Sequence, residues 1–269
     1  MVEEESMAAR EEIQNRISNR KNKTSLLDIE TYLLHFGLIN YILPKERLIP
    51  YIPQQFEISE YIVNGRAMAM MSAVPFLDVD FHFKKLFPFL KFQFPQTNYR
   101  VYIKDRNTGE NAVWFFGTTL GSNYVYLPRL GFKIPWHFAK YRLDCNYNAK
   151  VGAYDRYSYS VHSKWASAEI DLIDTGKPVT DYTGFSSYDE MKLILTHPVT
   201  GYFYRNDSRL GTYYIWHEEM NLTEGIPRKL YFSLFERLGL LSKEEMQNPF
   251  SVFLCPEIFF EVYLPPKLV

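Results

Sequence analysis

The sequence NYRVYIKDRNTGENAVWFFGTTL, residues 98–120, contains the clearest architectural signal in the chain. Two apolar-rich segments, Thr97–Lys104 and Ala112–Leu120, flank the polar turn Asp105–Asn111, which predicts a β-hairpin. In the simplest pairing register, Arg100 lies opposite Phe115. The second strand is apolar on both faces, so we expect protein to cover both of its sides.

Hairpin signals continue on either side of this segment. Asn64-Gly65 separates two apolar runs and predicts a tight turn, because both residues tolerate positive φ. Further strands are predicted at Asp144–Lys150, Tyr154–His162, Ala166–Asp174, Gly201–Arg205 and Leu210–His217. Short helices are predicted at Lys45–Ile52, Pro135–Leu143, Ser187–Thr196 and Pro227–Leu238. Strands and helices do not alternate regularly, which predicts an α+β, mainly β protein: an antiparallel closed or cone-like β-barrel with peripheral short helices.

The composition agrees with a β-rich fold. The chain has 21 Tyr and 21 Phe among 269 residues, and aromatic side chains favour pleated, half-buried surfaces. These rings serve either as plain core or as the lining of a pocket. Residues 1–25 are charged and poor in large apolar groups, which predicts a charged tail or a solvated helix outside the core. Residues 26–269 lack linkers and repeats, and we expect them to form a single domain.

Charge and motifs exclude several classes of function. The net charge of −1, from 30 Lys+Arg and 31 Asp+Glu, offers no basic surface for nucleic acid. Cys145 and Cys255 have no paired spacing, and the six histidines lack ligand spacing, so we expect no disulfide framework and no metal site. No phosphate-binding or dinucleotide fingerprint appears, so we expect no cofactor. Without an apolar transmembrane stretch or a secretory signal, the sequence predicts a cytoplasmic location, and it leaves homo-oligomerisation open.

Three polar residues are candidates for function. A guanidinium at position 100, facing an apolar wall, needs either an anionic ligand or a structural ion pair. His137 and His217 are candidate acid/base groups, with packed histidines as the plainer interpretation. Lys84-Lys85 is the only adjacent lysine pair, and neighbouring ammonium groups lower a lysine pKa. Its irregular, aromatic surroundings favour exposed charges instead.

The order of several motifs resembles a family, domain of unknown function (DUF) 2071, which is similar in fold to acetoacetate decarboxylase. The most specific segment is NYRVYIKDRNTGENAVWFFGTTLGSNYVYLPRLGFKIPWHFAKYRL. Looser matches are INYILPKERLIPYIP, VNGRAMAMMSAVPF and ILTHPVTGYFYRNDSRLGTYYIWHEEMNLTEG. The resemblance covers roughly residues 33–225 and implies a cone-like antiparallel sheet that encloses a pocket, with helices outside.

The resemblance also implies where decarboxylase chemistry would be located. Acetoacetate decarboxylases carry a Gly-aromatic-Pro-Lys-Lys string, whereas here Trp136 and His137 follow Pro135. Neither Lys133 nor Lys140 occupies the matching place. The family's pocket glutamate is matched by Gln96, and its His-Trp pair by Asn40-Tyr41. These departures argue against imine catalysis by lysine.

The leading hypothesis is therefore a small-molecule-binding protein with an interior pocket for an anionic or partly apolar ligand. Its predicted binding residues are Asn40, Gln96, Arg100 and Phe115. A second hypothesis is a lyase or hydrolase acting on a keto or enol compound, with His137 or His217 as the acid/base group. A third is a non-catalytic scaffold that binds partners through residues 1–25 and the aromatic loop 81–92.

Overall fold

The computed structural model describes residues 2–21, 25–123 and 126–269. In chain order, the elements are α1 (Val2–Ser18), β1 (Ile29–Leu43), β2 (Phe56–Ile58), β3 (Glu60–Val63), β4 (Arg66–Phe83), β5 (Phe92–Asp105), β6 (Asn111–Leu120), α2 (Tyr126–Gly131), β7 (Trp136–Phe138), β8 (Lys140–Asn148), β9 (Ala153–His162), β10 (Ala168–Pro178), α3 (Tyr188–Leu195), β11 (Thr200–Tyr204), β12 (Leu210–His217), β13 (Thr223–Phe232), α4 (Ser233–Arg237), α5 (Lys243–Met246) and β14 (Ser251–Leu268). One-turn 3-10 helices lie at Lys45–Arg47 and Ile49–Tyr51, where a longer helix was predicted.

Seven of the strands close into a barrel. Their order is β1-β4-β5-β6-β11-β12-β14, and β14 pairs with β1 to complete the ring. The β1–β14 ladder runs from Ile29 opposite Val262 to Asn40 opposite Ser251, so it joins the two ends of the chain. The predicted closed, mainly β architecture with short helices is confirmed. The barrel is mixed rather than purely antiparallel, because β11 runs parallel to β6.

The predicted hairpins form as expected. Arg100 pairs with Phe115 in the β5–β6 ladder, which confirms the register proposed from the sequence. Asn64 and Gly65 have φ values of 51° and 74° and connect β3 to β4, so this turn is confirmed as well. Both predictions succeed because a short loop between complementary strands fixes their register locally.

The same sheet continues beyond the barrel and packs against its outside. Strands β13, β10, β9 and β8 extend from β14 in that order, and their buried face covers β1, β4 and β5. The aromatic residues divide between two cores. Tyr157 and Tyr159 lie between the barrel and the four added strands. Phe36 and Phe203 lie in the barrel interior. Aromatic packing thus fills two layers of this fold.

Two predicted helices are wrong. Pro135–Leu143 forms β7 and the start of β8 instead, because Thr118, Thr119 and Leu120 of β6 offer a free edge to which β7 adds in parallel. Residues 227–232 belong to β13, and only α4 within the predicted helix Pro227–Leu238 is helical. In both cases a neighbouring strand provides backbone hydrogen-bond partners, and tertiary pairing overrides the local pattern.

One face of the N-terminal helix packs against the rest of the protein. Within α1, Ile13 is 1% exposed and Ala9 is 6% exposed. The hydroxyl of Ser6 donates to Asp189 of α3 at 3.1 Å, and the indole Nε1 of Trp216 donates to the carbonyl oxygen of Ile17 at 2.8 Å. The predicted solvated helix therefore has two buried residues, while most of its other described side chains are exposed. Residues 1 and 22–24 of the predicted tail lie outside the described residues.

Candidate functional site

The barrel interior contains a partly open cavity of about 110 Å³. Side chains point to opposite faces at successive positions of a strand, so every second residue of a barrel strand faces the interior. On β4 these residues are Val74, Phe76 and Asp78, and on β5 they are Gln96, Asn98 and Arg100. All seven barrel strands contribute to the lining, and Thr196 and Pro198 close one end after α3.

Arg100 lies at the end of the cavity next to α3. It is 8% exposed, and its Nη2 donates to the carbonyl oxygen of Leu195 at 2.7 Å and to Tyr102 Oη at 3.2 Å. Within the described ranges, its buried Nε has no hydrogen-bond partner and no carboxylate forms an ion pair with it. The sequence suggested either an anionic ligand or a structural ion pair for this guanidinium. Among the described residues, the structure shows no such ion pair.

Asn40 supports this arginine from beneath the cavity. Its Nδ2 donates to Ser251 Oγ at 2.9 Å, and its Oδ1 accepts from Ser72 Oγ at 2.5 Å. Ser72 Oγ lies 3.0 Å from Tyr102 Oη, which in turn contacts Arg100. Asn40 was predicted to bind the ligand, but it does not belong to the described lining of the cavity. It connects to Arg100 through a buried hydrogen-bond network instead.

An aromatic wall stands beside the guanidinium. Phe115 and Tyr213 stack with ring centroids 5.7 Å apart, and both line the cavity. Gly201 permits this arrangement, because a Cβ atom there would lie 2.6 Å from the Phe115 ring. Burial raises the pKa of the Tyr213 phenol above its usual value, so the phenol stays neutral. This side of the cavity suits a flat or apolar portion of a ligand.

A second polar cluster lies elsewhere in the cavity, and its central residue, Asp78, was not predicted from the sequence. Thr31 Oγ1 donates to Asp78 Oδ1 at 3.0 Å, and Gln96 Nε2 donates to Asp78 Oδ2. Burial raises the pKa of the Asp78 carboxyl to about 7, although the two hydrogen bonds act in the opposite direction. A usable signal was present: Asp78 shares strand parity with the inward-facing Val74 and Phe76.

His217 lies behind the cavity wall. Its ring stacks on Phe260 at 4.5 Å and on His197 at 4.4 Å. Its Nδ1 lies 2.6 Å from the carbonyl oxygen of Glu218, and its Nε2 lies 2.8 Å from that of Thr196. Burial lowers its pKa to about 4. Both nitrogens face backbone carbonyl oxygens, and a neutral imidazole donates from one of them only, so His217 is poorly placed for proton transfer to a bound molecule.

His137 and the neighbouring lysines also lie away from the cavity. The His137 ring stacks on Trp165 at 4.0 Å, while the adjacent Trp136 faces the cavity from the other side of β7. Burial, with contributions from two arginines, lowers the pKa of His137 to about 4. Lys140 is exposed, and neither it nor Lys133 belongs to the described lining.

The described residues contain neither a metal-binding cluster nor a membrane-spanning helix. No group of three His, Cys, Asp or Glu side chains there is arranged to hold a metal ion. No helix in those ranges has the length and apolar character needed to cross a bilayer.

Comparison with solved structures defines the class of fold. The enduracididine biosynthesis enzyme MppR complexed with pyruvate superposes with a TM-score of 0.56 at 10% identity, and 93% of each chain is covered. Acetoacetate decarboxylase from Legionella pneumophila gives 0.57 at 13% identity, covering 96% of this chain and 94% of that one. An acetoacetate decarboxylase-like enzyme from Sphingomonas wittichii RW1 gives 0.56 at 7%, covering 90% and 92%. The protein thus has the acetoacetate decarboxylase-like fold.

The family is shown by sequence. The model of DUF2071, described as an uncharacterized conserved protein, matches residues 32–258, and the chain belongs to this family. None of the curated proteins compared with the chain matches it.

Proposed function

We propose that the protein binds a small carboxylate inside its barrel and that Arg100 anchors the carboxylate group. The observation that carries this proposal is a buried guanidinium that lines a cavity and has no ion pair among the described residues. A buried, unpaired charge is costly to a fold, so its presence needs a compensating partner. A carboxylate fits, because charge-assisted hydrogen bonds between a guanidinium and a carboxylate are among the stronger hydrogen bonds in proteins.

The dimensions of the cavity limit the ligand. An engineered cavity of about 150 Å³ holds a benzene molecule, so the present 110 Å³ limits the ligand to a molecule of no more than about six non-hydrogen atoms. Pyruvate has this size, and a structural neighbour of the same fold was solved in complex with pyruvate. Short 2-oxo acids are therefore the ligand class we propose, with the Phe115 and Tyr213 rings beside the carbon chain.

Catalysis through a lysine imine is not part of this proposal. The described residues that line the cavity include no lysine, and the positions after Pro135 hold Trp136 and His137. The alternative of histidine acid/base catalysis also lacks support, because neither His137 nor His217 belongs to that lining. Binding is thus the function that the interior supports best.

Isothermal titration calorimetry with pyruvate and 2-oxobutyrate tests the proposal. Wild-type protein should bind, and Arg100→Met should weaken binding by about 10- to 100-fold, because a charge-assisted hydrogen bond contributes roughly 1.5–3 kcal/mol. Arg106→Met, the same change at an exposed arginine remote from the lining, should leave affinity unchanged. The uncharged amide of pyruvate should bind weakly to all three proteins. Equal affinity of the Arg100→Met variant and wild type would refute the assignment.

A further inference from the structure

Asp78 forms the second polar centre of the cavity, apart from the guanidinium. The residue is 2% exposed, and its two carboxyl oxygens accept hydrogen bonds from Thr31 on β1 and Gln96 on β5. Both donors are neutral, so neither supplies a charge to balance an ionised carboxylate. The carboxyl group is therefore held firmly in position while its charge stays uncompensated by the protein.

The two centres are separated along the barrel. Gln96 and Arg100 face the cavity four residues apart on β5, which corresponds to roughly 13 Å between their backbone positions. No ion pair joins Asp78 to Arg100 in the described structure. On β4, the apolar side chains of Val74 and Phe76 line the cavity between the positions of Asp78 and Ser72. An anion at Arg100 would therefore share a low-dielectric interior with the Asp78 carboxyl.

We propose that the cavity takes up its anionic ligand together with one proton, which Asp78 carries. This inference rests on the proposed function and names the coupling that the same cavity imposes. Two negative charges in one low-dielectric cavity repel each other, so binding of a carboxylate favours the neutral form of Asp78. The proton comes from solvent and stays on the carboxyl group while the ligand is bound. No covalent bond is made or broken.

Burial already brings the carboxyl close to its protonated form near neutral pH. Its pKa of about 7 before any ligand binds means that a second negative charge needs to shift the equilibrium only modestly. The protonated carboxyl also gains an O–H donor, which suits the carbonyl oxygen of a 2-oxo acid or the hydroxyl oxygen of a hydroxy acid.

Other titratable groups around Asp78 do not account for such coupling. Among the described lining residues, the remaining ionisable groups are Arg100 and Tyr213, of which the first stays charged and the second neutral near pH 7. On the outer face of the neighbouring strands, Glu30 pairs with Lys84 at 2.9 Å and lies 3.6 Å from His82. Glu261 also pairs with Lys84 on that outer face.

Calorimetric titration with pyruvate at pH 6, 7 and 8 tests the coupling. Bis-Tris, imidazole and Tris differ in ionisation enthalpy and are cationic, so they report proton exchange without competing for an anion site. For wild type, we expect net uptake of a fraction of one proton per ligand at pH 8 and almost none at pH 6, where the carboxyl is already mostly protonated before the ligand binds. Affinity should fall as pH rises from 7 to 8, by at most about tenfold, which is the limit for one coupled proton.

Two variants make the test specific. Asp78→Asn keeps the size of the side chain and removes the titration, so its affinity should be independent of pH and its proton uptake zero. The Gln96 amide can rotate to accept from the new amide group, which preserves the hydrogen bond. Thr31→Val removes one hydrogen bond to the carboxylate, so the fall in affinity should move to higher pH. A merely structural threonine would not move it.

The outcomes separate this inference from the proposed function. Binding of pyruvate by wild type without proton uptake at any pH would overturn the coupling and leave Arg100 as the anchor. Proton uptake that persists in Asp78→Asn would place the proton on another group and would also overturn it. Absence of binding by wild type and both variants at all three pH values would overturn the proposed function, and the coupling with it.

Discussion

Arg100 Nη2 donates a hydrogen bond to the carbonyl oxygen of Leu195 over 2.7 Å, which joins the cavity's guanidinium to the last residue of α3. The last carbonyl groups of a helix lack intrahelical partners and carry a partial negative charge. They orient a cation without neutralising it fully. The arginine is thus fixed in direction while most of its charge remains available to a ligand.

This arrangement predicts that the Arg100 side chain does not stabilise the folded protein. Arg100→Met should leave the free energy of unfolding unchanged or raise it by up to about 2 kcal/mol, because a buried charge without an ion pair is replaced by an apolar chain of similar length. Tyr102 Oη can still donate to the carbonyl oxygen of Leu195, from 3.3 Å. Urea denaturation at pH 7 measures the change.

The control for this prediction is the exposed Arg106. Arg106→Met should change the free energy of unfolding by less than about 0.5 kcal/mol, as is usual for surface substitutions. A loss of more than about 2 kcal/mol in Arg100→Met would instead identify the guanidinium as a structural residue, since removal of a needed buried partner is strongly destabilising.

The histidine pair behind the cavity predicts acid sensitivity. His197 is 1% exposed, and burial with nearby positive charge lowers its pKa to about 2, while burial lowers that of His217 to about 4. Unfolded histidines titrate near pH 6.5, so below this pH the unfolded chain binds more protons than the folded one. Stability is therefore complete above pH 6.5 and falls as the pH drops, by up to about 1.4 kcal/mol per pH unit for each histidine.

The variant His197→Phe isolates this contribution. Phenylalanine preserves stacking on His217, and the Nε2 atom of His197 has no partner among the described residues, so no hydrogen bond of that atom is lost. Between pH 7 and 5.5, the variant should lose about 1 kcal/mol less than wild type in urea denaturation. The control His162→Phe alters an exposed residue and should follow wild type. Identical losses for all three proteins would contradict the prediction.

Gly117 sets the geometry of the hairpin that carries Arg100. The β5–β6 ladder pairs Tyr99 with Gly117 but Arg100 with Phe115, so a bulge at this point leaves Phe116 unpaired in the ladder. Gly117 has a φ of 151°, and a Cβ atom there would lie 2.8 Å from the Trp165 ring and 3.0 Å from the backbone oxygen of Pro135. A side chain at this position therefore meets both backbone strain and crowding.

Substitution at Gly117 should disturb stability and binding together. Gly117→Ala is expected to cost at least about 2 kcal/mol from strain and overpacking, and to weaken pyruvate binding because the bulge sets where Arg100 points. Gly131→Ala, where no atom lies within 4 Å of the added Cβ, should change both by little. Thermal unfolding and calorimetry provide the two readouts. A stable Gly117→Ala protein with normal affinity would show that the bulge is dispensable.

The sequence predicts the local parts of this site and misses those that depend on distant pairing. Arg100 and Phe115 belong to one hairpin, and their register follows from a short loop. Asp78 was missed because the motif VNGRAMAMMSAVPF ends at Phe76, whereas β4 continues to Phe83. That continuation depends on pairing with β1 and β5, including Asp78 opposite Leu33 and Phe94. Local pattern does not reveal such partners.

Long-range closure explains the remaining differences. The barrel closes where β1 meets β14, more than 200 residues later in the chain, and no nearby residues indicate that contact. Asn40 was expected to face the ligand, but its neighbours Ser72 and Ser251 on β4 and β14 bind both ends of its amide. The barrel was predicted partly from the resemblance to a known family. The roles of individual residues depend on long-range pairings that the sequence does not reveal.

The packing of α1 yields a final prediction about the segment after α3, which lines one end of the cavity. Arg16 Nη1 donates to the carbonyl oxygen of His197, and the next residue, Pro198, lines the cavity. Ile13→Ala should cost about 2–4 kcal/mol in unfolding free energy, because Ile13 is 1% exposed. Met7→Ala, on the same helix at 64% exposure, should cost less than about 0.5 kcal/mol.

Amide hydrogen exchange will show whether α1 opens alone or with the barrel. If α1 holds the segment after α3 in place, Ile13→Ala should also weaken pyruvate binding, because that segment loses its packing against the helix. Unchanged affinity with faster exchange confined to α1 would show that the helix covers the barrel without contributing to the site.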